Sequence, residues 1–255
     1  MRDAGLACYV GAVAEYTYGS DPLAVERLEL VARAYEPVSR RFLADHAPAG
    51  PGVALDLGCG PGFSTRLIAA VCTPTELVGV DASSEFLAVA RVAVPGARFV
   101  TGDVTDTPLP GGPADLVYAR LVLAHLPDPL ATADAWRACL RPGGRVLIED
   151  LEGIDAPAGP LRSYDDLAAA VVRAGGGLMY AGRALAALGG WTTPVTVPAA
   201  VAARIYQFNV RRWRAAPPAG VPVEVLDDLF AGLVEVVAAD GPATVSWIVR
   251  QLVLC

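Results

Sequence analysis

An α/β chain, doubly wound around a mostly parallel seven-stranded sheet, is what this sequence predicts, and three observations predict it. Short apolar runs alternate with helix-compatible runs from residue 53 to residue 150, with tight loops between them. Repeated βα units of this kind imply a parallel sheet, because each crossover carries a helix. A glycine-rich turn, Gly58-Cys59-Gly60-Pro61-Gly62, joins the first of these strands to the first helix of the series. Two more strand-like runs, 191–197 and 245–254, bring the strand count to seven. The result is a Rossmann-like core with helical additions: an N-terminal helical cap over 1–47, an α/β core over 48–198, a C-terminal helical lid insert over 199–240 and a last core strand over 241–255.

Taken in order, Asp21 can cap a helix that has Pro22 at its first position. Leu23, Leu28, Val31 and Tyr35 follow at near-helical spacing, and Pro37 is expected to kink or restart that helix before Phe42. The first strand, 53–57, carries a carboxylate, Asp56, near its end, and a helix over 62–72 follows the glycine turn. Strand 77–81 ends in Asp81, and Ser83 or Ser84 can cap a helix over 83–92. Strands are expected at 97–101, 115–119 and 145–150, with a helix near 128–140 between the last two. Beyond residue 150 helices fit 165–174, 181–188, 199–215 and 223–239. Right-handed crossovers then place a ligand at the carboxyl ends of the strands, at the switch point beside the first strand.

Bulk properties narrow the function classes. The chain has 255 residues, room for one domain with a full core. All 20 basic residues are arginine; net charge is −7, which argues against a nucleic-acid partner. The cluster Arg211, Arg212 and Arg214 reads as a solvated helix face. Five cysteines without a CxxC pair suit reduced thiols in a cytoplasmic protein. Two histidines leave little material for a metal site, and none is expected. Residues 1–14 mimic a leader peptide only faintly, since Asp3 sits in the supposed basic region. No apolar run has the length of a membrane span. A monomer or homodimer acting on a small molecule is the expectation.

The glycine turn offers close backbone approach and a helix N-terminus, which suits an anionic or polar ligand. Its G-x-G-x-G spacing differs from the G-x-G-x-x-G of dinucleotide folds. Asp81, after the second strand, is placed to accept both hydroxyl protons of a ribose. Four further stretches occur in order: 77–81, Thr101-Gly102-Asp103-Val104, the run from Asp115 to Pro129 that contains Ala119, Arg120 and His125, and the run from Leu140 to Asp150.

With Asp56-Leu57-Gly58-Cys59-Gly60-Pro61-Gly62, these stretches resemble the motifs of class I S-adenosylmethionine-dependent methyltransferases, in particular the bacterial small-molecule type. The resemblance covers residues 53–150. It implies S-adenosyl-L-methionine as cofactor, S-adenosyl-L-homocysteine as product, and methyl transfer to an O, N or C nucleophile, with specialised metabolism as the setting. A non-methylating lyase or pericyclase on the same fold is the alternative. The resemblance assigns Asp56, Gly58, Gly60, Gly62, Asp81 and Ala82 to the cofactor site, Asp103 and Val104 to the adenine, and Ala119 and Arg120 to the region of the transferable methyl. Arg120, a cation where the fourth strand should end, suits the cofactor carboxylate, an acidic group of the substrate or a structural ion pair. Tyr16, in the Tyr16-x-x-Gly19 stretch, is similar to the tyrosine that approaches the methionine end in such enzymes. His125 and Asp150 are the candidate catalytic groups. Glu149 and Asp150 alternate along a strand, so they face opposite sides of the sheet.

Overall fold

The computed structural model describes residues 21–106 and 108–255. Tyr16 and the first part of the cap lie outside the described residues. Seven strands form one open sheet: β1 (Val53–Leu57), β2 (Glu76–Asp81), β3 (Arg98–Thr101), β4 (Ala114–Arg120), β5 (Leu140–Asp155), β6 (Trp191–Pro198) and β7 (Thr244–Leu254). Their order is β3-β2-β1-β4-β5-β7-β6. β1 to β5 are parallel, and β7 runs antiparallel between β5 and β6. The chain winds outward from β1 to β3 and then returns to lay β4 on the other side of β1. That reversal opens a crevice above the carboxyl ends of β1 and β4.

Eight α-helices cover the sheet among the described residues: α1 (Pro22–His46), α2 (Phe63–Cys72), α3 (Ser84–Ala93), α4 (Pro129–Ala135), α5 (Pro160–Ala174), α6 (Ala181–Leu185), α7 (Ala199–Ala215) and α8 (Val223–Ala239). Phe42 and Leu43 of α1 pack with Leu67 and Ile68 of α2 against Ala54, Leu116, Tyr118 and Leu147 on one face. Trp136, Leu123 and Leu185 pack on Leu55, Val117, Val146 and Ile148 on the other. The inner strands are thus buried on both faces, so they read as continuous apolar runs rather than alternating ones. None of the described helices is long and apolar enough to cross a membrane.

Sequence signals explain most boundaries. Asp21 Oδ1 accepts the Ala24 amide at 2.9 Å, Ser83 Oγ the Phe86 amide at 3.1 Å and Asp128 Oδ1 the Ala131 amide at 2.9 Å, so three helices start at capped positions. Three elements differ from expectation. α1 runs unbroken through Pro37, because Tyr35, Ser39, Phe42 and Leu43 on either side of it are all buried and hold its inner face. β5 extends to Asp155, because β7 pairs with it as far as Ser246. α4 ends early and its last turn is a 3₁₀ turn, Trp136–Cys139.

Candidate active site

The glycine turn follows β1 directly. Gly58, Gly60 and Gly62 all have positive φ, at 61°, 52° and 88°. A Cβ on Gly58 would meet Val122 at 2.5 Å, and one on Gly62 would meet Ala90 at 3.1 Å. Gly60 differs: its nearest neighbour would be Leu28 Cδ1 at 4.0 Å, so backbone conformation, not crowding, selects glycine there. Asp81, at the end of β2, fastens this turn. Its Oδ2 accepts the Gly60 amide at 2.8 Å and its Oδ1 the Ser83 amide at 2.8 Å. Burial raises the Asp81 pKa against these bonds. Ala82 is exposed beside it.

Asp56 points to the α2 side of the sheet. Its Oδ2 accepts the Ser64 hydroxyl at 2.8 Å and the Thr65 hydroxyl at 2.6 Å. Its Oδ1 is buried and has no hydrogen-bond partner among the described residues. Desolvation pushes this carboxyl up to about 6, opposed by the two hydroxyls. An unmet acceptor beside a glycine turn suits a ligand that brings a donor.

Asp103 and Val104 follow β3. Asp103 Oδ1 accepts the Thr105 amide at 2.8 Å and hydroxyl at 2.7 Å, a local turn. The Val104 carbonyl accepts the Trp136 indole N–H at 2.8 Å, which fixes that loop against the core. Ala119 is buried next to Leu57 in register. Arg120 ends β4 on the α1 side: its guanidinium lies 5.9 Å from the Tyr35 ring centroid and donates to Ser39 Oγ at 3.3 Å. The structure therefore sets the glycine turn, Asp56, Asp81, Ala119 and Arg120 at the carboxyl ends of β1, β2 and β4, with Asp56 near enough to Asp81 and Arg120 to feel their charges.

His125 closes a 3₁₀ turn, Leu123–His125, after β4. Burial and the charge of Arg27 hold its pKa down to about 4, so the ring is neutral near pH 7. Asp150 lies under the same turn. Its Oδ2 accepts the Leu123 amide at 2.9 Å and its Oδ1 the Leu151 amide at 2.9 Å, so it anchors the backbone that carries His125. Burial pushes it up to about 7. Glu149 faces the opposite side of the sheet, as strand alternation requires.

Several residues near the crevice carry no local sequence signal. α1 lies over the strand ends with Leu28 beside the glycine turn and with Arg27 only 6% exposed. Tyr35 stacks on Trp247 with centroids 5.6 Å apart, and Tyr164 stacks on Tyr206 at 3.8 Å. Apolar spacing marks Tyr35 as inward-facing. Nothing in the sequence pairs it with a tryptophan near the other end of the chain.

A profile of the family described as "Methyltransferase domain" matches residues 55–148. A trans-aconitate 2-methyltransferase of Methylobacterium radiotolerans is 31% identical over 200 residues, which is 78% of this chain and 67% of that protein. One of Rhizobium meliloti is 37% identical over 110 residues, 43% of this chain and 42% of its own length. The present chain thus spans two thirds of the first relative and about two fifths of the second. Among solved structures, the YcgJ protein of Bacillus subtilis superposes with a TM-score of 0.54 at 16% identity, covering 87% of this chain and 97% of that one. At that identity the likeness concerns the fold alone.

Proposed function

The chain belongs to the class I S-adenosylmethionine-dependent methyltransferases, and on that premise we propose that it methylates an O, N or C nucleophile of a carboxylate-bearing small molecule in specialised metabolism. The roof over the crevice carries this reading: α1 passes over the strand ends, with Leu28 at the glycine turn and a buried Arg27 near His125. A covered crevice admits a small acceptor more readily than a nucleic acid or a protein surface. A buried guanidinium suits an acidic acceptor. The trans-aconitate named in two relatives is an acid of that class.

The cofactor supplies a methyl group already activated on a sulfonium. The protein's residues hold and exclude. In this proposal the backbone at Gly58 and Gly60 makes close contact, Asp81 accepts from the ribose hydroxyls, and Asp103 and Val104 border the adenine. Asp56 offers its unmet oxygen to the ammonium, and Arg120 meets the carboxylate of the amino-acid end. His125, neutral at working pH, can accept a proton, while Asp150 holds the turn that positions it. Alignment and exclusion of water supply most of the acceleration.

The test incubates the protein with methyl-labelled S-adenosylmethionine and a panel of polycarboxylates, trans-aconitate included. Label is expected in a product one methylene heavier than its acid. Label confined to macromolecules would overturn the small-molecule reading. An isomerised acid without label would favour non-methylating chemistry.

A further inference from the structure

A buried chain of hydrogen bonds runs through the sheet beneath the crevice, and none of the roles above uses it. It begins at Glu149, which is fully buried and has no cation within ion-pair distance among the described residues. Its Oε1 accepts Gln251 Nε2 at 2.7 Å, and Gln251 Oε1 in turn accepts the Trp191 indole at 2.9 Å and the Thr193 hydroxyl at 2.8 Å. Its Oε2 accepts the Tyr118 hydroxyl at 2.5 Å. Tyr118 is buried and also hydrogen-bonded to Ser39; desolvation and then Glu149 raise its pKa well above the usual value, so the phenol keeps its proton. Ser39, likewise buried, accepts from Arg120 Nη1.

The direction of this chain is fixed by its ends. A guanidinium only donates and a carboxylate only accepts. Ser39 therefore accepts a hydrogen bond from Arg120 and donates one to Tyr118, and Tyr118 donates one to Glu149, each group keeping its own proton. Bonds aligned this way polarise one another. A buried carboxylate is costly unless a charge balances it. Here the balancing charge is Arg120, two hydroxyls away.

Arg120 also lines a cleft of about 210 Å³ between α1 and α2, together with Arg33, Arg40, Phe63 and Arg66. Two of these arginines are committed within their own helix, Arg33 to Glu29 at 2.7 Å and Arg40 to Glu36 at 2.8 Å. Arg66 has no carboxylate partner among the described residues and lies 5.8 Å from the Phe63 ring centroid. Arg120 and Arg66 are thus the two cations of this cleft without an ion pair within 4.0 Å among the described residues, although both lie near enough to Glu36, which also lines it, to lower its pKa.

We propose that Ser39, Tyr118 and Glu149 are positioning residues whose relay fixes the Arg120 guanidinium, so that Arg120, with Arg66 beside it, holds the carboxylate of the cofactor's amino-acid end. The relay rests on the reading of Arg120 given under the proposed function. Cutting it without removing any ligand-contacting group should let Arg120 swing toward the solvent end of the cleft and weaken carboxylate binding selectively.

Calorimetry with two probes tests this. S-Adenosylhomocysteine carries the amino-acid end; 5′-methylthioadenosine shares the adenosine and the sulfur but lacks it. Ser39→Ala and Tyr118→Phe should each weaken S-adenosylhomocysteine by about tenfold, the effect of one lost bond to a charged group. Methylthioadenosine binding should stay within about twofold of the wild type. Arg66→Gln should act in the same direction. If Arg120→Gln weakens S-adenosylhomocysteine while both relay variants leave it unchanged, the relay proposal is overturned and the reading of Arg120 stands. If Arg120→Gln itself has no effect, the reading of Arg120 fails. Equal loss of both probes in the relay variants would make the chain a general support of the fold and overturn its positioning role.

Discussion

Replacing Asp81 separates two tasks that the structure gives to one carboxylate. It fastens the glycine turn through the Gly60 amide and the start of α3 through the Ser83 amide, both at 2.8 Å. In the proposed site it also accepts from the cofactor's ribose. The two losses have different sizes. A hydrogen bond to a charged group contributes about 1.5–3 kcal/mol. Asp81→Ala should therefore raise the dissociation constant of S-adenosylhomocysteine by about 10- to 150-fold. The amides left behind are only half-buried, so water recovers part of their loss, and relief of the desolvated charge offsets more. The stability of the apo protein should fall by only about 1 kcal/mol. Calorimetry with S-adenosylhomocysteine and thermal denaturation without ligand measure the two effects. Asp81→Asn refines the comparison. It keeps the shape and one acceptor, but sets an NH₂ against one of the two amides, so it should bind poorly as well. If both variants bind S-adenosylhomocysteine within about twofold of the wild type while melting earlier, Asp81 is a staple of the turn and the ribose assignment is refuted.

Three more predictions follow from the same geometry. His125→Ala should lower turnover by less than about 100-fold, below the upper range for losing a general base; a drop of several thousand-fold with loss of a titration in the pH–rate profile would make His125 the base. The folded state binds the Asp150 proton more tightly than the unfolded chain, because burial pushes Asp150 up to about 7. Stability from this group is therefore full below about pH 4 and declines as pH rises toward about 7. Asp56, pushed up to about 6, acts in the same direction, and His125, held down to about 4, opposes both only below about pH 6.5. Denaturant titrations of the apo protein should thus show stability falling between about pH 6.5 and 7.5, and Asp150→Asn should flatten the slope; a rising wild-type curve there would contradict the assignment. Hydrogen exchange should divide the proposed lid segment 199–240. α7 buries Ile205, Tyr206, Val210 and Trp213, whereas α8 exposes Val223, Val225 and Val234, so α7 should exchange with the core strands and α8 faster. Equal, rapid exchange of both would mean that the pair moves as one lid.

The fold was legible because its signals are local. Caps at Asp21, Ser83 and Asp128 start helices within a residue of where the sequence puts them, and the apolar runs of the inner strands need no partner to be recognised. The departures came from tertiary partners. Pro37 ought to interrupt a helix on local grounds, yet the residues around it are held by the sheet and by α2. β5 reaches Asp155 only because β7, late in the chain, is long enough to pair with it. The Arg211 to Arg214 cluster shows the same dependence: Arg214 meets Asp227 at 2.5 Å, and Arg211 and Arg214 lie over Phe230, all across the α7–α8 pair.

At the site, alternation correctly separated Glu149 from Asp150, but could not say which face held what. Glu149 belongs to the relay because Ser39 of α1 lies on that face, and Asp150 lies under the His125 turn because the chain doubles back after β4. Gly58 shows the limit most sharply. The sequence reading places it in the ligand's loop, as a position where a side chain would block either the turn or the ligand. In the structure a Cβ there strikes Val122 first, at 2.5 Å. Val122 follows Leu121, whose φ of 58° is uncommon for a leucine and is held by its amide on the Glu149 carbonyl at 2.8 Å. A side chain at Gly58 would therefore push on a strained turn whose other end carries His125. Gly58, given to the cofactor in the proposed site, thus also borders the loop after β4, so even Gly58→Ala should disturb acceptor chemistry as well as cofactor binding. Ligand contact alone would confine the damage to the cofactor. An acceptor KM unchanged at saturating S-adenosylmethionine in that variant would show that the two loops are not coupled.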